Sequence, residues 1–166
     1  QYDLKLGLRT GVNTGEMIAG PMGYARKLNY SVLGDSVNLA SRLEGANKLF
    51  PTRIMIGTQT YEQAKAGIEA RFLDLLRVKG EVRAFPVYEL LGRKGCLSSE
   101  KQALCAAYME GIGHYREKRW NEAMACFDRA LTMDKEDGPS QTYRERCAHY
   151  CQNPPAADWD GSFSLD

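Results

Sequence analysis

Asn38 and Arg42 stand four residues apart in the run Tyr30-Ser31-Val32-Leu33-Gly34-Asp35-Ser36-Val37-Asn38-Leu39-Ala40-Ser41-Arg42. On a helix that spacing stacks the two side chains on one face. A neutral amide beside a guanidinium suits the holding of an oxyanion or a phosphate. Arginine supplies a planar fork of donors with a permanent charge, and asparagine can orient a ribose oxygen or a developing alkoxide. The same pair also fits an ordinary solvated helix face, and spacing alone does not separate the two.

The elements that must position the pair are legible around it. Tyr30 to Leu33 reads as a short apolar strand, Gly34 as a turn, and Asp35 or Ser36 as the cap that opens a helix to about Lys48. Upstream, Leu4, Leu6 and Leu8 alternate with polar residues, predicting a strand that runs through Val12. Glycines at 11, 15, 20 and 23 follow, with Gly20-Pro21-Met22-Gly23 reading as a turn. They do not make a phosphate loop, since no Gly-Lys-Ser/Thr follows and no helix opens directly behind them. Strands are predicted at Leu28–Leu33, Arg53–Ile56, Arg71–Val78 and Ala84–Leu90, the last two joined at Lys79-Gly80-Glu81. Thr58 is predicted to cap a helix to about Ala66. This order gives an α/β or α+β sheet with helices on one side. Its edge should be exposed unless another chain covers it.

The whole run resembles the signature of the class III adenylyl and guanylyl cyclase catalytic domain: strand, glycine, then Val-Asn-x-Ala-Ser-Arg. The resemblance continues upstream through Leu8-Arg9-Thr10-Gly11-Val12-Asn13-Thr14-Gly15-Glu16 to Ala19-Gly20 and Gly23. Downstream it takes in Arg77-Val78-Lys79-Gly80 and Val87-Tyr88-Glu89-Leu90, so that it covers residues 1 to about 92. It implies an α+β fold, part of a ferredoxin-like nucleotide-cyclase sheet. It also implies closure of ATP onto its own 3′-oxygen with release of pyrophosphate, in signal transduction. Asn38 would position the ribose, Arg42 would stabilise charge on the α-phosphoryl group, and Lys79 would hold the β/γ-phosphates. Many relatives place a second lysine where this chain has Glu81. Ser31 falls where adenylyl cyclases often carry Asp, guanylyl cyclases Cys, and a further subset Thr. A hydroxyl there resembles the Thr subset, which favours ATP.

The family's two acids for Mg²⁺ or Mn²⁺ lie upstream of the strand that begins near Leu4, and Asp3 and Asp35 do not occupy their positions. No metal ligand is therefore assigned within this chain. The expectation is the C-terminal half of a cyclase domain, inactive alone, whose parent site forms between two chains of a homodimer. The rival readings are a guanylate cyclase, or a non-catalytic cyclase-like dimerisation module.

The chain has 166 residues, 43% hydrophobic and 26% charged, which is ordinary for a soluble globular protein. No apolar run approaches the ~20 residues of a membrane span and no signal peptide opens it, so a cytoplasmic domain is expected, with any membrane tether of the parent upstream. Residues 1–94 hold 14 Lys/Arg against 9 Asp/Glu, and the remainder 8 against 12. That modest positive balance suits a nucleotide and is too dispersed for nucleic acid. The 5 cysteines are odd in number and lack C-x-x-C spacing, which argues against a disulfide framework or a zinc site. Cys147 and Cys151, one helical turn apart, have no matching histidine pair.

Beyond a linker at 93–97, residues 98–152 read as helical. Ala107, Gly111, Ala123, Phe127 and Ala130 fit the spacing of a tetratricopeptide repeat, and Pro139 opens a third helix. One and a half repeats are too few to stand alone, so the unit should pack on the cyclase domain or on a protein partner, as a cap or oligomerisation element rather than a peptide groove. Residues 153–166 are a Pro/acidic tail whose Trp159 and Phe163 either dock on a surface or lie in disordered chain.

Overall fold

The computed structural model describes residues 7–24, 27–78 and 84–165. Twelve elements follow in order: β1 Thr10–Val12, β2 Ile18–Tyr24, β3 Lys27–Leu33, α1 Asp35–Ala46, β4 Ile54–Gly57, α2 Thr58–Ala64, β5 Ile68–Val78, β6 Phe85–Arg93, α3 Ser99–Arg116, α4 Trp120–Met133, α5 Gly138–Gln152 and β7 Phe163–Leu165. The fold is mixed α+β. A five-stranded sheet has the order β1-β4-β6-β5-β7, and β2 and β3 form a separate antiparallel ribbon.

The strand–glycine–helix unit forms where the sequence places it. α1 turns Leu43 and Ala46 into the core while Asn38 and Arg42 stay exposed, the division its apolar spacing dictates. The cap differs: Gly34, at φ 150°, holds the N-cap, and neither Asp35 nor Ser36 makes a side-chain capping bond. A backbone in that region is open to glycine and strained for other residues. Thr58 likewise does not cap α2. Its hydroxyl donates to the Pro86 carbonyl at 2.6 Å, tying α2 to β6.

The glycine-rich segment departs from expectation. Gly20–Gly23 is not a turn: β2 runs straight through it, with Gly20 opposite Ser31 and Pro21 opposite Tyr30. A proline is tolerated because, among the described residues, β2 pairs with β3 on one side only. The ribbon exposes Ile18, Tyr24, Leu28, Tyr30 and Leu33. The first strand is described only over Thr10–Val12, at an edge of the main sheet, with Leu4 and Leu6 outside the described residues.

One hydrophobic cluster joins α1 (Leu43), β4 (Met55), β5 (Leu73, Leu76) and β6 (Val87) to α3 (Tyr108, Ile112), α4 (Phe127) and α5 (Tyr143). The helices thus pack on the sheet. The hydroxyls of Tyr108 and Tyr143 both donate to the Leu73 carbonyl, at 3.3 and 2.7 Å, which satisfies polar atoms that burial would otherwise strand. Buried ions reinforce the seam. Arg71 on β5 donates two bonds to Asp137, at 3.0 and 2.7 Å, and one to Glu89 on β6 at 2.6 Å. Burial pushes the Asp137 carboxyl up, but Arg71, Ser140 and Lys101 outweigh it and hold the carboxyl below its ordinary value. Arg146 on α5 reaches Asp74 at 2.6 Å; there burial dominates and pushes the carboxyl up.

The tail docks. Trp159 packs edge-on against Tyr115 and Trp120, with ring centroids 5.3 and 5.7 Å away. Phe163 opens β7, which pairs parallel to β5 and forms that edge of the sheet. Among the described residues no helix is long and apolar enough to cross a membrane.

Candidate functional site

The exposed face of α1 forms one wall of a cleft of about 870 Å³. Asn38 and Arg42 both line it. Facing them are Asn13, Thr14, Gly15 and Glu16, which follow β1, and Gln59 and Gln63 of α2, with Asp35, Ser36 and Phe85 also in the lining. Sheet strands thus deliver their following loops to one place, and two helices wall it.

Close backbone contact fixes this wall. A Cβ on Gly11 would stand 2.1 Å from the Ala40 carbonyl oxygen and 2.4 Å from the Glu44 nitrogen, so β1 lies against α1 with no room for a side chain. At the far end of α1, the amide of Asn47 is fully buried. Its Nδ2 donates to the carbonyls of Thr10, Leu43 and Glu44 at 3.0–3.2 Å, and its Oδ1 accepts from the Thr52 hydroxyl at 2.8 Å. At the near end, Asn13 Nδ2 donates to the Ser36 carbonyl at 3.2 Å. Thr14 and Thr60 share a hydroxyl hydrogen bond at 3.0 Å, tying the segment after β1 to α2. The helix is therefore pinned at both ends to the β1 segment, which holds Asn38 and Arg42 at a set height above the cleft. Thr142 on α5 adds a bond to the Leu49 carbonyl at 3.0 Å, just beyond α1.

Of the four residues singled out from the sequence, the structure brings Asn38 and Arg42 together in this cleft. Ser31 stands on β3, half-buried and opposite Gly20, outside the lining. Lys79 lies outside the described residues. Asn13, Thr14, Gln59 and Gln63 were not picked out as site residues. Gln59 and Gln63 repeat on α2 the four-residue spacing of Asn38 and Arg42, and Asn13-Thr14 directly follows a strand; both signals were in the sequence. The carboxylates in the lining are those of Glu16 and Asp35. Among the described residues no cluster of three metal-ligating side chains lies in the cleft. What the cleft offers is amide and guanidinium donors around an open cavity, a recipe for binding a phosphorylated small molecule.

Comparison with known proteins bears on the same residues. The family model for the adenylate and guanylate cyclase catalytic domain matches residues 1–92. The terminal-differentiation-specific adenylate cyclase of Dictyostelium discoideum is 32% identical over 141 residues, covering 82% of this chain and 7% of that protein. Adenylate cyclase 1 of Rhizobium meliloti is 37% identical over 84 residues, covering 51% of this chain and 13% of that protein. The chain thus spans a small part of the length of these curated relatives. The 141-residue alignment is longer than the 92-residue family match, so that similarity continues into the helices that follow the sheet. Among solved structures, the adenylyl cyclase CyaB from P. aeruginosa is 33% identical, covers 54% of this chain and 45% of that one, and superposes with a TM-score of 0.46.

Proposed function

Because the chain belongs to the adenylate and guanylate cyclase catalytic domain family, we propose that it is part of an adenylate cyclase that converts ATP to 3′,5′-cyclic AMP and pyrophosphate. The observation that carries this reading is the placement of Asn38 and Arg42 side by side on the exposed face of α1, lining the same cleft. In the reaction, the ribose 3′-oxygen forms a bond to the α-phosphorus as its proton leaves. The bond from that phosphorus to the oxygen bridging it to the β-phosphorus breaks, and that oxygen leaves with pyrophosphate. Negative charge builds on the α-phosphoryl oxygens during that exchange. The Arg42 guanidinium would stabilise it, and the Asn38 amide would hold the ribose so that the 3′-oxygen lies in line.

Ser31 is proposed to read the base edge with its hydroxyl, and Lys79 to hold the β- and γ-phosphates. The divalent ions would be held by acids outside this chain, as the family resemblance implies; this chain alone would then make no cyclic nucleotide. A second cyclase chain would complete the site and cover the apolar ribbon of β2 and β3. The helices α3 to α5 are proposed as a tetratricopeptide-like cap on the sheet, available to a protein partner. The domain would work in the cytoplasm, on ATP.

The test is an intact cyclase domain carrying this chain, assayed with Mn²⁺ for cyclic AMP and cyclic GMP side by side, with Arg42→Ala as control. Cyclic AMP formation should dominate, and Arg42→Ala should lower its rate by about 10²–10³-fold. Dominant cyclic GMP would make it a guanylate cyclase. Neither product from folded, dimeric protein would overturn the catalytic reading and leave a cyclase-like binding module.

A further inference from the structure

The seam between α3 and α4 gathers ligating side chains that the cleft does not use. Glu110 and His114 stand one turn apart on α3, and Cys126 faces them from α4. A carboxylate oxygen, an imidazole nitrogen and the thiol sulfur all lie within 4.8 Å of one another. The helices come this close because residue 111 is glycine: a Cβ there would stand 2.7 Å from the Phe127 ring. A second observation concerns the same histidine. His114 Nδ1 is closed off from solvent and has no hydrogen-bond partner among the described residues. A buried polar atom left in that state is uncommon and costly.

We propose that Glu110, His114 and Cys126 bind one divalent transition-metal ion of the zinc class, with a fourth position left to water. The donor set selects the metal. One sulfur, one imidazole nitrogen and one carboxylate oxygen suit a borderline-soft ion, whereas Mg²⁺ and Ca²⁺ require shells of hard oxygens. The size fits as well. Metal–ligand bonds of about 2.0–2.3 Å put tetrahedral ligand atoms roughly 3.3–3.8 Å apart, so the trio needs to draw in by no more than about 1.5 Å. Glu110 is exposed, so its torsions can supply its own share of that movement.

Arg129 of α4 pairs with Glu110, the two side chains being 49% and 53% exposed. An ion pair so open to water adds little, and a carboxylate has a second oxygen to give the metal. Binding exchanges the Cys126 thiol proton, released to solvent, for the ion. The site lies on the helical unit and is distinct from the nucleotide cleft, so the ion would act as a clip between α3 and α4.

The probe is Co²⁺, followed by Zn²⁺, titrated into the whole chain after stripping with chelator. A saturable one-to-one thiolate-to-Co²⁺ charge-transfer band is expected, displaced by Zn²⁺, together with a rise in Tm that chelator reverses. Cys126→Ser should abolish the band, and Glu110→Gln should weaken binding by at least about tenfold. The metal-free Tm of Glu110→Gln should match that of the wild type, since Glu110 is exposed; this keeps the test meaningful if Cys126→Ser folds poorly. Cys151→Ser should leave the band in place. Absence of a band, unchanged affinity in Glu110→Gln, or a band that survives Cys126→Ser but is lost in Cys151→Ser would overturn the proposal.

Discussion

Asp137→Asn removes a single negative charge from the seam between sheet and helices while leaving its shape nearly intact. The Asp137 side chain is 1% exposed and that of its partner Arg71 is 2% exposed. Arg71 donates to both carboxylate oxygens, Lys101 Nζ sits 3.2 Å from one of them, and the Ser140 hydroxyl donates to the other at 2.7 Å. Removing one member of a buried pair costs about 3–5 kcal/mol, because the remaining ion is left without its counter-charge. Glu89 keeps its 2.6 Å contact with Arg71, so the loss should fall near the lower end, about 3 kcal/mol. The helix cap is not a confounder: Asp137 caps α5 through Ser140, and asparagine caps as well as aspartate does. At 1.4 kcal/mol per decade this is roughly a hundredfold rise in the unfolding constant. Urea unfolding would be followed by circular dichroism and by tryptophan fluorescence, since Trp120 and Trp159 both sit in the helical region and tail. The two signals should move together, because the core is continuous from Met55 to Tyr143. A loss below about 1 kcal/mol would refute the charge argument. Separate transitions for the two signals would refute the claim that helices and sheet share one cooperative core.

The same carboxyl sets a pH dependence. Asp137 is held below its ordinary value in the folded chain, so its stabilisation is present above the unfolded pKa, about 3.9, and is lost as pH falls through the folded value. The stability difference between wild type and Asp137→Asn should therefore be full at pH 6 and shrink below about pH 4. Taking the difference cancels Asp74, whose raised value contributes with the opposite sign. Gly11→Ala forces a methyl group to within 2.1 Å of the Ala40 carbonyl oxygen, so α1 must shift. A stability loss of about 1–3 kcal/mol is expected. Cyclase activity of an intact domain should fall by about 10²-fold with the protein still folded, since α1 carries Asn38 and Arg42. Unchanged activity would mean that the height of α1 above β1 does not matter.

The shared helix face of Asn38 and Arg42 was legible in the sequence because it is local. Two residues one turn apart share a face whatever the rest of the chain does. Strands β3 to β6 and the three C-terminal helices were legible for the same reason, as short-range periodicity. The Gly20–Gly23 segment was misread because glycine and proline mark turns only when no ladder partner is present. Here β3 supplies one. The capping of α1 was misread because Gly34, which has no side chain, takes the N-cap position, its carbonyl accepting from the N–H groups of Val37 and Asn38.

Other features belong to the tertiary structure alone. Nothing local says that Asp137 will meet Arg71, 66 residues away, or that the hydroxyls of Tyr108 and Tyr143 will converge on one carbonyl of β5. The tail shows this most plainly: its composition suits solvent, yet Trp159 and Phe163 find apolar partners once α3, α4 and β5 are in place. The sequence by itself determined that Asn38 and Arg42 share one helix face and which helix bears them. The tertiary structure decided what that helix rests on, which residues face it across the cleft, and where sheet and helices lock together. Side-chain type and helical spacing are properties of neighbouring residues, whereas burial and ion pairing depend on segments that meet only after the chain has folded.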